Sequence, residues 1–377
     1  MKLRHVLLAG TAAGPVASPA VASDLLLAVD PIDYVAVCSS AGDGYIAIPG
    51  TQTCLQVVGE LEFNLEIHDS KSVGNIAVIG GEDPDDPFTP TPPVAGFYIE
   101  DNYAANWEFT TEATLTVSTE SPSDLGTVKT YVEIEVKSDN SDYLDSLEVA
   151  TFDEGYGAIG PILFGYTDTI YEYSGAYTLD GGINGGTEVD QIQFSKTLGS
   201  WEVAFAAEDP RDRYDDDPKN ATGDYPDLAL ALIRDFNNAD IQASFGVTDR
   251  TSGTGWAAQL GGTLELANDT INLRGIVAYA DNAPEYVGGS NCSGKCANEG
   301  GWWSTLISGE IDITSTVALQ ATASYLEEPS SYEWDAALSA AWSPTDAAEV
   351  SVGVLYENDG GSDSVEFHTQ LKTTFGD

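Results

Sequence analysis

The stretch from Asp227 to Arg250 reads "DLALALIRDFNNADIQASFGVTDR" and holds two alternating runs on either side of turn residues 236–239. In the second run, the odd-numbered residues from 241 to 247 are apolar or small, and the even-numbered residues are polar or glycine. A period of two between turn residues is typical of half-buried antiparallel strands. The stretch therefore predicts a β-hairpin with one apolar and one polar face.

The same pattern continues to the C-terminus and, more weakly, back toward the N-terminus. It predicts about 16 strands, an even number that is large enough to enclose an aqueous channel. The predicted strands lie near residues 55–67, 104–118, 126–137, 144–152, 160–166, 189–196, 200–207, 226–235, 239–247, 255–266, 270–280, 303–313, 316–326, 332–343, 348–357 and 364–375.

The predicted strands favour a transmembrane barrel over a soluble β-sandwich. They run to about ten residues rather than the usual five or six, and short turns alternate with longer polar loops. Aromatic residues stand at strand ends, as the two lipid–water boundaries require. Because lipid cannot satisfy an open sheet edge, the sheet must close. These aromatic residues are predicted to form two belts, one at each boundary. The belt residues are Tyr279, Tyr325 and Tyr356 before acidic loops, Trp256, Trp302, Trp303 and Trp334 after them, and Phe236, Trp342 and Phe375 near short turns.

The first 22 residues predict export. A short basic start with Lys2 and Arg4 precedes a modest apolar run, and Ala20-Val21-Ala22 fits a signal-peptidase site. The apolar run is too short for a membrane-spanning helix. We expect a signal peptide at 1–22 and a mature chain that starts at Ser23.

The charge balance narrows the function classes. The chain carries 14 Lys and Arg against 61 Asp and Glu, a formal net charge of −47, and two of the basic residues leave with the signal peptide. This balance excludes a nucleic-acid binder and a protein that docks on anionic membrane surfaces. A content of 42% hydrophobic and 10% aromatic residues is too high for a disordered acidic tail. The acids therefore belong to a folded scaffold that faces salt water, divalent cations or a cation-filled lumen.

Four cysteines allow three disulfide pairings. Sequence proximity favours Cys38–Cys54 and Cys292–Cys296. In the chain-entropy model, the first disulfide would stabilise the folded state by roughly 3 kcal/mol. Zinc binding is the alternative, but Cys-x3-Cys is not zinc-finger spacing and no histidine lies near it. We expect a disulfide-stapled segment at 23–54, followed by a barrel domain at 55–377.

Residues 32–63, "IDYVAVCSSAGDGYIAIPGTQTCLQVVGELEF", resemble the N-terminal signature of the alphaproteobacterial general porins. The matching features are a Tyr-Val-x-Val-Cys run at 34–38, Gly44-Tyr45, an Ile-Pro-Gly-Thr turn at 48–51 and Thr-Cys-Leu at 53–55. Two weaker matches are "LGTVKTY" at 125–131 and "GPILFGYTDTIYEY" at 160–173. The remainder of the chain agrees with the family in length and architecture rather than in motif.

The resemblance implies a homotrimeric outer-membrane porin whose third long loop folds into the lumen and narrows the pore. Loop counting places that segment at Thr167–Glu188, and a Gly-rich surface loop is the alternative. Two features depart from the family pattern: Glu60 and Glu62 replace an aromatic residue and an arginine, and two residues follow Phe375. The loop residues expected at the constriction are Asp168, Tyr171, Glu172, Tyr173, Asp180 and Glu188.

Carboxylates dominate the strand positions expected to face the lumen. Such a wall raises the local concentration of cations and repels anions, so we expect a cation preference that weakens with added salt. The alternative is that these carboxylates are solvated and have no effect on the flux of ions. The few basic residues are expected opposite the loop acids. The predicted wall residues are Glu60, Glu62, Glu66, Lys129, Glu133, Glu135, Arg274 and Lys372, with His368 on the last strand.

The acidic stretches 80–93 and 208–220 are expected in outward loops, where they could hold Ca²⁺ or Mg²⁺ and bridge to lipopolysaccharide. Neither fits an EF-hand, so no metal site or cofactor is assigned. No nucleophile–base motif supports an enzyme. The leading hypothesis is a passive diffusion channel for small hydrophilic solutes and cations in the bacterial outer membrane. A substrate-selective channel and an exported Ca²⁺-binding adhesin are the alternatives.

Overall fold

The structure is a computed structural model that describes residues 36–38, 40–42, 44–68, 107–138, 149–173, 175–178, 186–213, 224–250, 253–267, 270–288, 301–329, 331–358, 360 and 363–376. Within these residues the strands are β1 (Ala36–Val37), β2 (Ile46–Ala47), β3 (Cys54–His68), β4 (Trp107–Ser123), β5 (Gly126–Ser138), β6 (Val149–Ile159), β7 (Ile162–Asp168), β8 (Glu188–Leu198), β9 (Trp201–Glu208), β10 (Asp227–Asp235), β11 (Ala239–Arg250), β12 (Gly253–Leu266), β13 (Ile271–Asp281), β14 (Gly301–Thr314), β15 (Val317–Glu327), β16 (Tyr332–Thr345), β17 (Ala348–Asn358) and β18 (Asp363–Phe375).

Strands β3 to β18 form a closed antiparallel barrel of sixteen strands. Each strand pairs with its neighbour in sequence, and β18 pairs back onto β3 from Glu366 opposite His68 to Phe375 opposite Gly59. The fold predicted from the alternating pattern is therefore confirmed. Within the described part of the chain, no helix combines the length and the apolar content that a membrane crossing needs.

Strand β6 lies at Val149–Ile159, later in the chain than the predicted range of 144–152. The sequence "DEGYGAIG" looks like a turn because of its glycines, but Gly155 and Gly157 are strand residues. Aromatic rings cover both: an added Cβ would lie 2.2 Å from a ring atom of Phe152 at Gly155 and 2.9 Å from one of Phe164 at Gly157. Rings that shield strand glycines are a recurrent device of curved sheets. The prediction for this strand is wrong in its bounds.

The two ends of the barrel differ. At one end, called the turn end, the connections are short, such as residues 124–125, 199–200 and 315–316. At the other, the loop end, they are long: 69–106, 139–148, 169–187, 209–226 and 282–300. Outer-membrane barrels place short turns on the periplasmic side and long loops outside the cell.

The outer surface of the barrel is apolar. On β3, Leu61, Phe63 and Ile67 remain 42–47% exposed, and the even-numbered residues of this stretch point inward. Strands all around the barrel behave in the same way, which leaves an apolar surface far larger than soluble proteins tolerate. This surface requires lipid, so the soluble adhesin alternative does not fit. Further outward side chains are Ile134, Phe164, Ile192, Phe205, Leu228, Leu230, Leu260, Val277, Ile307, Leu338, Val352 and Leu371.

Groups of aromatic rings in contact lie outside the loop end. Ring centroids are 5.4 Å apart for Trp256 and Tyr279, 5.1 Å for Trp303 and Tyr325, and 4.9 Å for Trp334 and Tyr356. At the turn end, Phe236, Trp342 and Phe375 are exposed.

The belt prediction is wrong for Trp302, which is 2% exposed and packs in the buried cluster on the inner side. Its neighbour Trp303 points outward and is 38% exposed. Since successive side chains of a strand point to opposite faces, only one of the two can reach lipid.

The N-terminal segment forms a small hairpin at the turn end. β1 pairs with β2, β2 pairs with β3, and a disulfide joins Cys38 to Cys54 with a Cα–Cα distance of 5.8 Å. The hydroxyl of Tyr45 lies 2.9 Å from that of Ser118 on β4, which ties the hairpin to the inner wall. The signal peptide at 1–22, Asp180, Cys292, Cys296 and the acidic stretch 80–93 lie outside the described residues.

Candidate functional site

Residues 169–173 and 175–178 of the loop between β7 and β8 lie inside the barrel, and the first of these two stretches contacts the inner faces of β11 and β12. The side-chain amide of Gln242 donates to the carbonyl oxygens of Ile170 and Glu172 at 3.1 and 2.7 Å. The backbone N–H of Tyr173 donates to the side-chain oxygen of Gln259 at 2.8 Å. Two glutamines on neighbouring strands thus satisfy the loop backbone, which would otherwise be buried without partners.

Further along, the same loop crosses β13, β14 and β15. Arg274 donates to the carbonyl of Gly175, and its guanidinium lies 4.4 Å from the ring centroid of Tyr177. The N–H of Tyr177 donates to the Ser308 hydroxyl at 2.9 Å, and the Thr178 hydroxyl donates to that of Thr322 at 3.0 Å. The loop therefore folds into the lumen, and the alternative of a surface loop is wrong.

Small inward residues make room for this loop and for Tyr286, which lies in the connection between β13 and β14. A Cβ at Gly261 would lie 2.4 Å from Cγ of Tyr173, and one at Gly246 would lie 2.5 Å from Cε1 of Tyr286. Such distances do not occur in real structures, so the ring of Tyr173 occupies the place of a side chain on β12. The other inward positions on this side include the buried residues Ala206, Ala229, Ala231, Ala257, Ala278 and Ala280.

A buried ion pair anchors the start of the loop. Arg213 and Glu208 approach to 2.7 Å, and their side chains are 1% and 0% exposed. The Thr169 hydroxyl donates to Glu208 at 2.6 Å and accepts from Arg213 at 2.7 Å. Arg213 ends the 3-10 turn Pro210–Arg213, so the stretch 208–220, expected to be an outward acidic loop, begins inside the protein. That expectation is wrong for Glu208 and Arg213, because these two opposite charges form an ion pair and can therefore both be buried.

A second 3-10 turn, Pro284–Val287, closes over this anchor. Tyr286 stacks edge-on against Tyr171 with 4.8 Å between ring centroids, lies under Arg213 at 4.1 Å and donates to Asp227 at 2.9 Å. Burial raises the pKa of Tyr286 well above its usual range, so its hydroxyl stays a donor. Burial also raises the pKa of Glu285, and the adjacent Arg250 opposes that rise.

The loop residues predicted to line the constriction occupy different environments. Asp168 and Glu188 sit opposite each other where β7 ends and β8 begins, at the root of the loop. Tyr171 and Tyr173 are 0% and 7% exposed, so the expectation that they line water is wrong. Their rings pack against the barrel wall instead. Glu172 lies against Gly186, where an added Cβ would meet its carboxylate.

The pore wall on β3, β5 and β18 contains the predicted ionisable side chains. Lys372 lies 2.6 Å from Glu60 and 3.2 Å from Glu62, and Lys129 pairs with Glu120. Glu133 accepts from Thr116 at 2.9 Å. Both lysines are therefore matched by wall carboxylates. Glu66 and Glu135 also occupy the inward phase of their strands.

On β3–β6, three pairs of carboxylates stand directly opposite each other across neighbouring strands. The pairs are Glu62 with Glu112, Glu66 with Glu108, and Glu133 with Glu154. Like charges in this arrangement destabilise a sheet. Our sequence reasoning missed Glu108, Glu112 and Glu154. The inward phase of β4, set by Trp107, Phe109 and Leu115 on the other face, could have identified the first two.

The inner face of β3–β6, here called the carboxylate wall, faces the loop across the lumen. In a ring of sixteen strands, the strands eight positions apart face each other, so β3–β6 lie opposite β11–β14. The wall of β3–β6 therefore carries the three opposed pairs, and the side opposite carries the inward loop. Arg274 belongs to the loop side, beneath Gly175 and Tyr177. The expectation that it stands opposite the loop is wrong.

Comparisons with known proteins agree with this architecture. A family model described as "Porin subfamily" matches residues 24–375. Porin Omp2b of Brucella suis is 25% identical over 339 residues, 86% of this chain and 74% of the relative. Outer membrane protein IIIA of Rhizobium leguminosarum bv. viciae is 40% identical over 77 residues, 20% of this chain and 21% of the relative.

Solved structures share the fold at low identity. The outer membrane channel DcaP of Acinetobacter baumannii superposes with a TM-score of 0.65 at 13% identity and covers 86% of this chain and 97% of that one. A loop-deletion mutant of OmpT from Vibrio cholerae gives 0.53 at 11% identity, over 86% of this chain and 100% of that one. The match to the family model covers nearly the whole sequence and agrees with the closed barrel. The chain therefore belongs to the porin subfamily and is a porin of the bacterial outer membrane.

Proposed function

We propose that this porin is a cation-preferring passive diffusion channel for small hydrophilic solutes and ions. The observation that carries the proposal is the set of opposed carboxylate pairs, Glu62–Glu112, Glu66–Glu108 and Glu133–Glu154. Like-charge pairs reduce stability, so the presence of three such pairs on the inner face of β3–β6, beside a water-filled lumen, supports a role in permeation. The proposal assigns no catalytic step to the channel.

The charge of the wall supports the direction of the preference. A low-dielectric barrel lined by one sign of charge concentrates counter-ions and excludes co-ions. Lys129 and Lys372 lie within ion-pair distance of carboxylates, so they reduce the acidity of the wall without reversing it. The formal charge of −47 adds a long-range attraction for cations at the mouth.

Neutralising one opposed pair tests the proposal. The double variant Glu62→Gln/Glu112→Gln should lower the cation-to-anion permeability ratio several-fold in planar bilayers. Asp281→Asn/Glu327→Gln is the matched control, because it removes two charges from exposed positions at the loop end. The control should keep the ratio of the wild type. An unchanged ratio in the wall variant would refute the role of these carboxylates.

We also propose that the channel is a homotrimer that contacts lipopolysaccharide at its loop end. The resemblance to trimeric general porins and the broad apolar outer surface support an assembly of barrels. Native mass measurement of detergent-extracted protein should give three chains per particle. A single-chain mass in mild detergent would contradict the trimer.

A further inference from the structure

We propose that the loop-end mouth of the pore contains a binding site for a divalent transition-metal ion, formed by His68, Glu66 and Glu366. The three residues lie on the inner face where β18 closes onto β3. One ligand atom from each residue lies within 4.8 Å of the other two. The site shares Glu66 with the proposed selectivity wall, and its other two residues lie outside the opposed carboxylate pairs. Metal binding would be a function in addition to diffusion.

The register of the closing seam produces this cluster. His68 stands directly opposite Glu366, and Glu66 stands directly opposite His368. The four residues occupy two consecutive inward positions on each strand, so histidine and glutamate alternate around a square. The chain has three histidines, and the one at position 5 lies in the predicted signal peptide. Both remaining histidines therefore meet at one place.

The distances suit a metal ion. Nδ1 of His68 lies 3.0 Å from Glu366, and Nε2 lies 3.7 Å from Glu66. Zinc binds nitrogen and oxygen ligands at about 2.0–2.2 Å, which places ligand atoms roughly 3.4 Å apart. The three ligand atoms lie within 4.8 Å of one another. Each would have to shift by about 1 Å or less to reach a common zinc ion at bonding distance. One imidazole nitrogen and two carboxylates leave a coordination position for water.

Accessibility and charge also favour an ion. The side chains of His68 and Glu66 are 37% and 32% exposed, so an ion can enter from the pore. Glu366 is 17% exposed, and Nδ1 of the buried His368 lies 3.5 Å from its carboxylate, which limits its movement. Lys372 lies six residues further along β18, roughly 20 Å away in an extended strand. Imidazole as a ligand selects zinc, copper and nickel over magnesium and calcium.

Calorimetric titration of the purified full-length mature porin with ZnCl₂ tests the site. The wild type should show one binding event per chain that is weakened at least tenfold by His68→Gln. Glu349→Gln is the control, because it neutralises a carboxylate on β17 that bonds to Ser343 and Ser351 at the turn end. The control should bind as the wild type does. Superimposable curves for His68→Gln and the wild type would overturn the proposal, as would equally effective competition by MgCl₂.

A measurement on the wild type alone guards against a misfolded variant. Cu²⁺ bound at the site should show coupling to an imidazole nitrogen in electron paramagnetic resonance. Only the seam cluster supplies imidazole in the mature chain, so loop carboxylates cannot produce this signal. Copper spectra with oxygen ligands alone would overturn the proposal.

Discussion

At the scale of single residues, Gly261 illustrates how the wall and the inward loop depend on each other. An alanine here would bring its Cβ to 2.4 Å from Cγ of Tyr173. Overpacking of this kind costs about 1–3 kcal/mol. We expect Gly261→Ala to lower the free energy of unfolding by that amount and to increase open-channel noise, because the ring must leave the wall.

Gly275 on β13 provides a matched control for that substitution. A Cβ added there meets no atom within 4 Å, so Gly275→Ala should change neither stability nor noise appreciably. Urea unfolding and single-channel recording measure both properties. Equal behaviour of the two variants would show that the ring of Tyr173 is not held against β12.

The buried pair of Arg213 and Glu208 yields a second residue-scale prediction. Removing one partner of such a pair costs about 3–5 kcal/mol, since the other charge stays buried. Arg213→Met should therefore destabilise the barrel strongly and release Thr169, with frequent conductance fluctuations in bilayer recordings. Arg213→Met/Glu208→Leu should recover much of the lost stability. A single variant as stable as the wild type would argue against the anchor.

At the scale of the elements, the N-terminal hairpin is fixed to β3 by the Cys38–Cys54 disulfide, 16 residues apart in sequence. Cys38→Ser/Cys54→Ser should lower the free energy of unfolding by roughly 3 kcal/mol. Ion selectivity should stay unchanged, because neither Cys38 nor Cys54 is one of the opposed carboxylates. Urea unfolding of the wild type and the double variant without reductant tests this prediction, because the Cys292–Cys296 disulfide expected from the sequence stays intact in both. A shifted selectivity would place the hairpin in the permeation path.

The strands were largely predictable because alternation is a local property. Each outward Leu or Phe on β3 fixes the inward phase of Glu60 and Glu62, whatever the rest of the chain does. The bounds of β6 were missed, because Gly155 and Gly157 look like turn residues until their covering rings are known. Trp302 was misassigned, since adjacent tryptophans cannot both face lipid.

The path of the inward loop was predictable only in outline. Gln242 and Gln259 resemble any other polar lumen residue, and only the three-dimensional structure shows that they hold the loop backbone. Glu208 and Arg213 stand five residues apart in a stretch that looks like a solvated acidic loop. Their burial depends on contacts with Thr169 and Tyr286, which are distant in sequence and carry no local signal.

At the scale of the whole molecule, the acids act through a field that salt screens. The Debye length falls from about 30 Å at 0.01 M salt to about 3 Å at 1 M. We expect the cation-to-anion permeability ratio to decrease steadily over this range, with its largest values in dilute KCl. A ratio independent of salt would point to selection by direct contact rather than by the field of the wall.

The zero-current potential of the wild-type channel across a tenfold KCl gradient tests the central claim most directly. A lumen lined by Glu62, Glu112, Glu133 and Glu154 should pass K⁺ more readily than Cl⁻. The dilute side should therefore become positive, and the potential should shrink toward zero in Glu62→Gln/Glu112→Gln. A negative potential on the dilute side would contradict the account, because it would mean that anions carry most of the current.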